Sequence, residues 1–184
     1  MDETEQDILM RARGGREDAL REIIESHEHQ VAATVTGILG IGPEVDDIGQ
    51  ETFVQFFRSL PRFRGDSQVA TYLTRIAINL SLNELKRRKR YVKFVAEDCT
   101  GNTSLIHSQR DQESAADTKR MIWDGLQQLP AEFKSVIVLR LINGYSTRET
   151  ARILSLAQGT VLSRLARGQV KLRHIIKDMT NHES

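Results

Sequence analysis

Apolar residues return every three or four positions along most of this chain, and nowhere do they alternate. A strand with one buried face needs a period of two and an amphipathic helix needs 3.6, so the pattern predicts helices and an all-α fold. Ile8, Leu9 and Ala12 begin one stripe, which Gly14-Gly15 interrupts. It resumes with Ala19, Leu20, Ile23 and Ile24 and runs through Val31, Val35, Ile38 and Leu39. Gly40 to Pro43 is a stop signal. Val45, Ile48, Thr52, Phe53, Phe56, Phe57 and Leu60 form the next face, closed by Pro61. A further helix follows the polar stretch "RFRGDSQ", with Leu73, Ile76, Ala77, Leu80 and Leu85 as its stripe.

Between residues 95 and 116 the periodicity fails. The stretch is polar, contains glycine and reads as a flexible linker. The pattern restarts with Met121, Ile122, Leu126 and Leu129, stopped by Pro130. Phe133, Val136, Ile137, Leu139 and Leu141 then lead to Asn143-Gly144, a helix C-cap signal. The 184 residues therefore divide into a helical unit over 1–94, a linker over 95–116 and a second helical unit over 117–184. With aromatics at 5%, both cores must be mainly aliphatic. Cys99 is the only cysteine, which excludes an intramolecular disulfide and suits a reducing compartment. The acidic opening "MDETEQDILMRARGG" has no apolar segment of a signal peptide, and no run reaches the roughly 18 apolar residues of a membrane span. The expectation is a cytoplasmic protein with no direct membrane insertion.

The formal net charge of +1 predicts no partner, but its distribution is lopsided. From Met1 to Phe57 there are 13 acids and 4 arginines; from Arg58 to Lys93 there are 10 bases and 2 acids. Such blocks fit either two surfaces with different partners or two solvated surfaces that attract each other. Catalytic chemistry finds little support. No phosphate-binding loop, nucleophile elbow or zinc spacing occurs. His27 and His29 lack a matched cysteine or carboxylate pair, and His107, His174 and His182 are isolated. The expectation is no catalytic residue, no metal and no cofactor.

Residues 144–168, "GYSTRETARILSLAQGTVLSRLARG", carry the most specific signal. Ser146 and Glu149 have the spacing of a capping box. Ala151 and Leu154 face inward from a short helix, Ser155 sits at a break, and a second helix starts near Ala157 or Gln158 with Val161, Leu165 and Leu172 inward. This is the layout of a helix-turn-helix, whose second helix lies in the DNA major groove. Gln158, Thr160, Ser163, Arg164 and Arg167 then lie on or near the open side. Gln158 suits an adenine edge, Arg164 a guanine or a phosphate, and Lys171 and Arg173 extend the positive surface. An ordinary helical hairpin with a polar outer face has the same pattern.

Two stretches carry a resemblance to a known family. Residues 126–173, "LQQLPAEFKSVIVLRLINGYSTRETARILSLAQGTVLSRLARGQVKLR", resemble region 4 of the sigma factors of bacterial RNA polymerase. Residues 46–90, "DDIGQETFVQFFRSLPRFRGDSQVATYLTRIAINLSLNELKRRKR", resemble region 2. Both occur in the family's order in a short chain, which is similar to the extracytoplasmic-function (ECF) group. The resemblance implies an alternative sigma factor that binds core RNA polymerase, through the clamp helices of the largest subunit and the beta flap, and directs initiation at specific promoters. It also implies control by an anti-sigma factor. Asp46, Asp47, Gln50 and Glu51 take the positions that dock on the clamp helices. Arg64, Gly65, Asp66, Ser67, Gln68 and Tyr72 take those of the minus-ten pocket. Asn79 and Asn83 would touch the strand, and Arg75, Lys86, Arg87, Arg88, Lys89 and Arg90 would follow its phosphates. Gln158, Thr160, Ser163, Arg164, Arg167 and Lys171 fall to the minus-thirty-five element.

The chain departs from the family pattern at several of these positions. Val69 and Tyr72 stand where aromatics, with tryptophan at the second, are usual. Leu162 replaces a usual lysine or arginine, "RGQ" at 167–169 replaces a more basic run, and Ser155 replaces a common glycine. Two other functions fit parts of the sequence: a two-domain repressor or activator, which leaves "RFRGDSQ" and the basic helix unexplained, and a sigma mimic that titrates an anti-sigma protein, which leaves Arg164, Arg167 and the basic run unexplained.

Overall fold

The computed structural model describes residues 3–65, 67–98 and 114–181, and the regular elements among them are all helical. Asp66 and Cys99 lie outside the described residues, as does most of the expected linker. The first half contains α1 (Glu3–Arg13), α2 (Glu17–Leu39), α3 (Glu44–Ser59), a 3₁₀ turn (Leu60–Arg62) and α4 (Val69–Asp98). The second contains α5 (Ser114–Gln128), α6 (Ala131–Ile137) widening into a π turn (Val138–Ile142), α7 (Thr147–Leu154) and α8 (Gln158–Asn181). Glycine and proline punctuate the chain as the sequence predicts. Gly15 turns the chain between α1 and α2 at φ 77°, Pro61 opens the 3₁₀ turn and Pro130 precedes α6.

The first-half core is built where the apolar stripes of α2, α3 and α4 meet. Val31, Val35, Ile38, Phe56, Leu73, Ala77 and Ile78 are all but inaccessible to solvent. Phe56 touches Phe57, Phe63 and Tyr72 with ring centroids 5.7 to 5.9 Å apart. Leu80 and Leu85 of the expected α4 stripe are only half-buried. Thr74, Ser81 and Glu84 are buried on that helix instead. Glu84, only 9% exposed, is held there by Arg87 at 2.6 and 2.9 Å and by Arg88 at 3.2 Å.

The end of α2 explains how the two halves meet. A helix leaves its last four carbonyls without intrahelical partners, and α2 has no basic residue in its last turn. All four oxygens are nevertheless satisfied. The Gly40 N–H donates to Thr36 O (2.9 Å), Gln127 Nε2 to Gly37 O (3.4 Å), Lys134 Nζ to Ile38 O (3.2 Å) and Arg88 Nη1 to Leu39 O (3.3 Å). Two of these four donors come from the second half. Packing follows the same line: a Cβ on Gly37 would stand 2.7 Å from Val138 Cγ2, so only glycine lets the π turn come this close to α2.

Polar side chains extend the contact. Tyr145 Oη accepts from Gln30 Nε2 at 2.6 Å and shares a hydrogen with Thr74 Oγ1 at 2.9 Å. Asn143 Nδ2 donates to Thr34 Oγ1 at 2.6 Å. Val138, Leu139, Tyr145 and Ile153 belong to the same apolar cluster as the α2–α4 core. The sequence pictures two bundles joined by a hinge; the structure docks them on one another. Periodicity identifies each bundle's inward face and says nothing of a contact made by Gln30, Thr34, Thr74 and Asn143.

Candidate nucleic-acid interface

The helix-turn-helix forms as its sequence predicts. Ser146 Oγ accepts from the Glu149 N–H at 3.2 Å, and Glu149 Oε2 accepts from the Ser146 N–H at 2.8 Å, completing the capping box. These bonds hold the Glu149 carboxyl below its usual range. Ser155 closes α7 in the left-handed region, φ 54° and ψ 46°, and the Leu156 N–H reaches back to Ala151 O at 2.9 Å. Val161 then sits fully buried against Val136 and Ala151, which sets α8 across α7. Ile153, not Leu154, is the more deeply buried residue of the α7 end. Gly168 is buried where α8 crosses α6: a Cβ there would lie 3.0 Å from Ile137 Cδ1 and 3.2 Å from Phe133 Cβ.

The predicted α8 residues divide into two groups. Gln158, Ser163, Arg167 and Lys171 are exposed. Thr160 is half-exposed and takes the Ser163 hydroxyl on its carbonyl at 3.0 Å. Lys171 arches over the Phe133 ring, 5.9 Å from its centroid. Arg164 turns the other way. It is three positions from buried Val161, hence on the flank of the inward side. Its guanidinium lies 3.7 Å from Glu132 in a cleft of about 270 Å³ lined also by Leu82, Leu85, Lys86 and Lys89 of α4.

A larger cleft, about 880 Å³, lies between the loop before α4 and the outer face of α7. Arg64, Ser67, Gln68, Tyr72 and Arg75 from the sequence prediction line it, and Gly65 makes the loop's turn at φ 78°. Tyr72 is half-buried. One side rests on Phe63 (5.1 Å) and Phe56 (5.9 Å), and the Arg75 guanidinium stands 4.9 Å from its ring centroid. The α4 N-terminus behind the loop is held from α1, where Glu5 Oε1 accepts from the Val69 N–H at 3.1 Å. The sequence reading misses two cations of this cleft, Arg62 and Arg152. Arg148 and Arg152 are one turn apart on the outer face of α7, a spacing that marks the pair.

Along α4, Asn79, Asn83 and Lys86 are exposed. Arg87 is exposed but bound to Glu84. Arg88 is occupied by Glu84, by Glu44 at 3.0 Å and by Leu39 O. Its work in the fold is to neutralise a buried carboxylate and cap α2, which leaves it less free than Lys86 for a phosphate. On α3, Asp46, Asp47 and Gln50 are exposed and Glu51 is half-exposed, accepting from Gln55 Nε2 at 3.1 Å. Among the described residues Asp46 and Asp47 meet no cation.

Comparison with known proteins matches both halves. Residues 23–91 match the family model for Sigma-70 region 2, and residues 119–172 match that for Sigma-70, region 4. The chain belongs to the sigma-70 family. Its relatives put this sigma factor in the ECF group. It is 28% identical over 184 residues to the ECF RNA polymerase sigma-E factor of Haemophilus influenzae, covering 96% of this chain and 97% of that one. The RNA polymerase sigma-H factor of Pseudomonas aeruginosa is 28% identical over 177 residues, 91% of each chain. The sigma-E factor of Escherichia coli K12 is 29% identical over 174 residues, 90% of this chain and 91% of the relative. In fold, the sigma factor is similar to CnrH, solved with the cytosolic domain of CnrY: TM-score 0.70, 23% identity, 95% of this chain and 97% of that one. It is also similar to the sigma factor RpoE of Bartonella quintana, solved with the anti-sigma factor NepR: TM-score 0.68, 20% identity, 85% and 96% of the two chains. No helix among its described residues is long and apolar enough to cross a membrane.

Proposed function

We propose that this chain is an alternative sigma factor that joins core RNA polymerase in the cytoplasm, directs promoter-specific initiation and is held in check by an anti-sigma factor. The observation that carries this reading is the presence of two unlike free surfaces on one chain. One is an acidic ridge at the start of α3; the other is a helix-turn-helix whose second helix carries no acid from Gln158 to Arg173. The first unit, residues 1–94, takes the polymerase and the minus-ten element, and the second, residues 117–184, takes the minus-thirty-five element.

Asp46, Asp47, Gln50 and Glu51 dock on the basic clamp helices. Arg64, Gly65, Asp66, Ser67 and Gln68 cradle an unstacked base, with Tyr72 as a stacking face once Arg75 swings to a phosphate. Asn79, Asn83, Lys86 and Arg87 follow the strand, with Arg88 contributing charge from behind. Gln158, Thr160, Ser163 and Arg167 meet base edges of the minus-thirty-five element and Lys171 its phosphates, which Arg164 joins once it leaves Glu132. No bond is made or broken by these residues; they convert binding energy into strand separation, and the polymerase does the chemistry.

The docked arrangement supports control by an anti-sigma factor. Glu149 and Arg152 of α7 form the wall opposite the minus-ten loop, so a partner that holds the halves together keeps a promoter strand out. Two chains of similar fold were each solved with a bound protein, one of them an anti-sigma factor. Charge reversal tests the docking ridge. Asp46→Lys/Asp47→Lys changes two exposed residues and leaves the helical circular dichroism unaltered. It weakens binding to core polymerase by about 10- to 100-fold, because like charges then face each other. Undiminished binding contradicts the assignment.

A further inference from the structure

An apolar ridge runs along the outer side of α8, where a DNA-reading helix is ordinarily polar. Leu162 is 55% exposed, Val170 is 51% exposed, and Ala166 between them is exposed. Spaced by four, the three share one face. Val161 and Gly168 are the buried side of this helix, so the ridge is no part of the core. Single exposed leucines are common; the neighbours of this one are what give it meaning. Leu162 lies in the second turn, among exposed Gln158, Gly159 and Ser163, in the part of a helix-turn-helix that meets base edges. Arg173 lies within the arc of the ridge and Arg167 beside it, both exposed, and the helix carries no acid from Gln158 to Arg173, which is complementary to a polyanion.

Gly159 supplies an independent observation. Gly159 lies in the first turn of α8, and a Cβ there would meet nothing within 4 Å. Folding does not require that glycine. The open site one turn before Leu162 leaves room for another surface to come close to the helix.

We propose that Leu162 is a specificity-determining residue that reads the C5-methyl group of a thymine in the minus-thirty-five element. Thymine alone offers an apolar group in the major groove. Guanine, cytosine and adenine present donors and acceptors there, which a leucine would bury without a partner. Where a lysine or arginine would hold a phosphate on any sequence, leucine exchanges affinity for a base preference. The inference rests on the sigma-factor reading above.

The test uses holoenzyme reconstituted from core polymerase and the full chain, with promoters selected from a random DNA library. Each thymine of the selected minus-thirty-five element is replaced singly by uracil, which removes only the methyl group. One replacement lowers affinity about three- to fivefold, the worth of one buried methyl. The same replacement has no effect on holoenzyme carrying Leu162→Ala, an exposed substitution that does not disturb folding. Insensitivity to every uracil overturns the proposal, as does a sensitivity that Leu162→Ala leaves unchanged. A holoenzyme that selects no sequence at all overturns the sigma-factor reading, and this inference with it.

Discussion

Lys134 is a lysine with no carboxylate among its hydrogen-bond partners. It is 3% exposed and donates to Ile38 O (3.2 Å), Gln127 O (3.3 Å) and Gln127 Oε1 (2.9 Å), all neutral acceptors. Burial, with Lys89 and Arg88 nearby, pushes its pKa down to about 8. The folded state therefore releases this proton at lower pH than the unfolded chain, whose lysine keeps it to about 10.4. Between those values the unfolded state binds more protons, and stability rises with pH. Relative to Lys134→Met, which keeps an unbranched apolar stem, the native protein gains on the order of 2 kcal/mol from about pH 7 to about pH 10 in urea unfolding. A difference that stays flat over that range contradicts the account. Nothing in the sequence marks Lys134: in "AEFKSVIVLRL" it reads as one more polar position, because one acceptor, Ile38 O, belongs to α2, almost a hundred residues away, and the others belong to Gln127 of α5.

At the scale of elements, helix positions are largely legible from three- and four-residue spacing and from Gly14-Gly15, Pro61 and Pro130. The helix-turn-helix is legible from Ser146 and Glu149 through Val161 because its signals are local, except that Ile153 is buried more deeply than the expected Leu154. The π turn is not. The Asn143 N–H bonds to Val138 O at 2.9 Å, five residues back, and one inserted residue barely disturbs an apolar stripe. Nor is the role of Gly37 legible, since a glycine inside a long helix does not say what approaches it. Gly37→Leu tests that approach. Leucine is the better helix former, yet its side chain would enter the space of Val138. The variant keeps its helix content, loses about 1–3 kcal/mol of stability, and moves fluorophores on Asn83 and Lys171 apart in energy transfer. Unchanged stability and transfer would show that Val138 does not dock on α2.

At the scale of the molecule, the two modules, their order and the acidic and basic blocks are legible; their embrace is not. Tyr145 and Gln30 are 115 residues apart, and neither belongs to an apolar period that would pair them. For the candidate site, the exposed residues of α3, the loop before α4 and α8 stand where their spacing implies. Arg88 and Arg164 instead take tasks set by Glu84 and Glu132, which only three-dimensional neighbours reveal. The central claim is that this chain gives promoter choice to an enzyme that lacks it. In-vitro transcription with core RNA polymerase and a library of promoter fragments measures that directly. The account predicts discrete transcripts that require the chain and vanish when the recognition-helix residues Ser163 and Arg167 are both changed to alanine. No chain-dependent transcript from any fragment, with the purified chain alone binding duplex DNA as tightly as the reconstituted enzyme does, would contradict it.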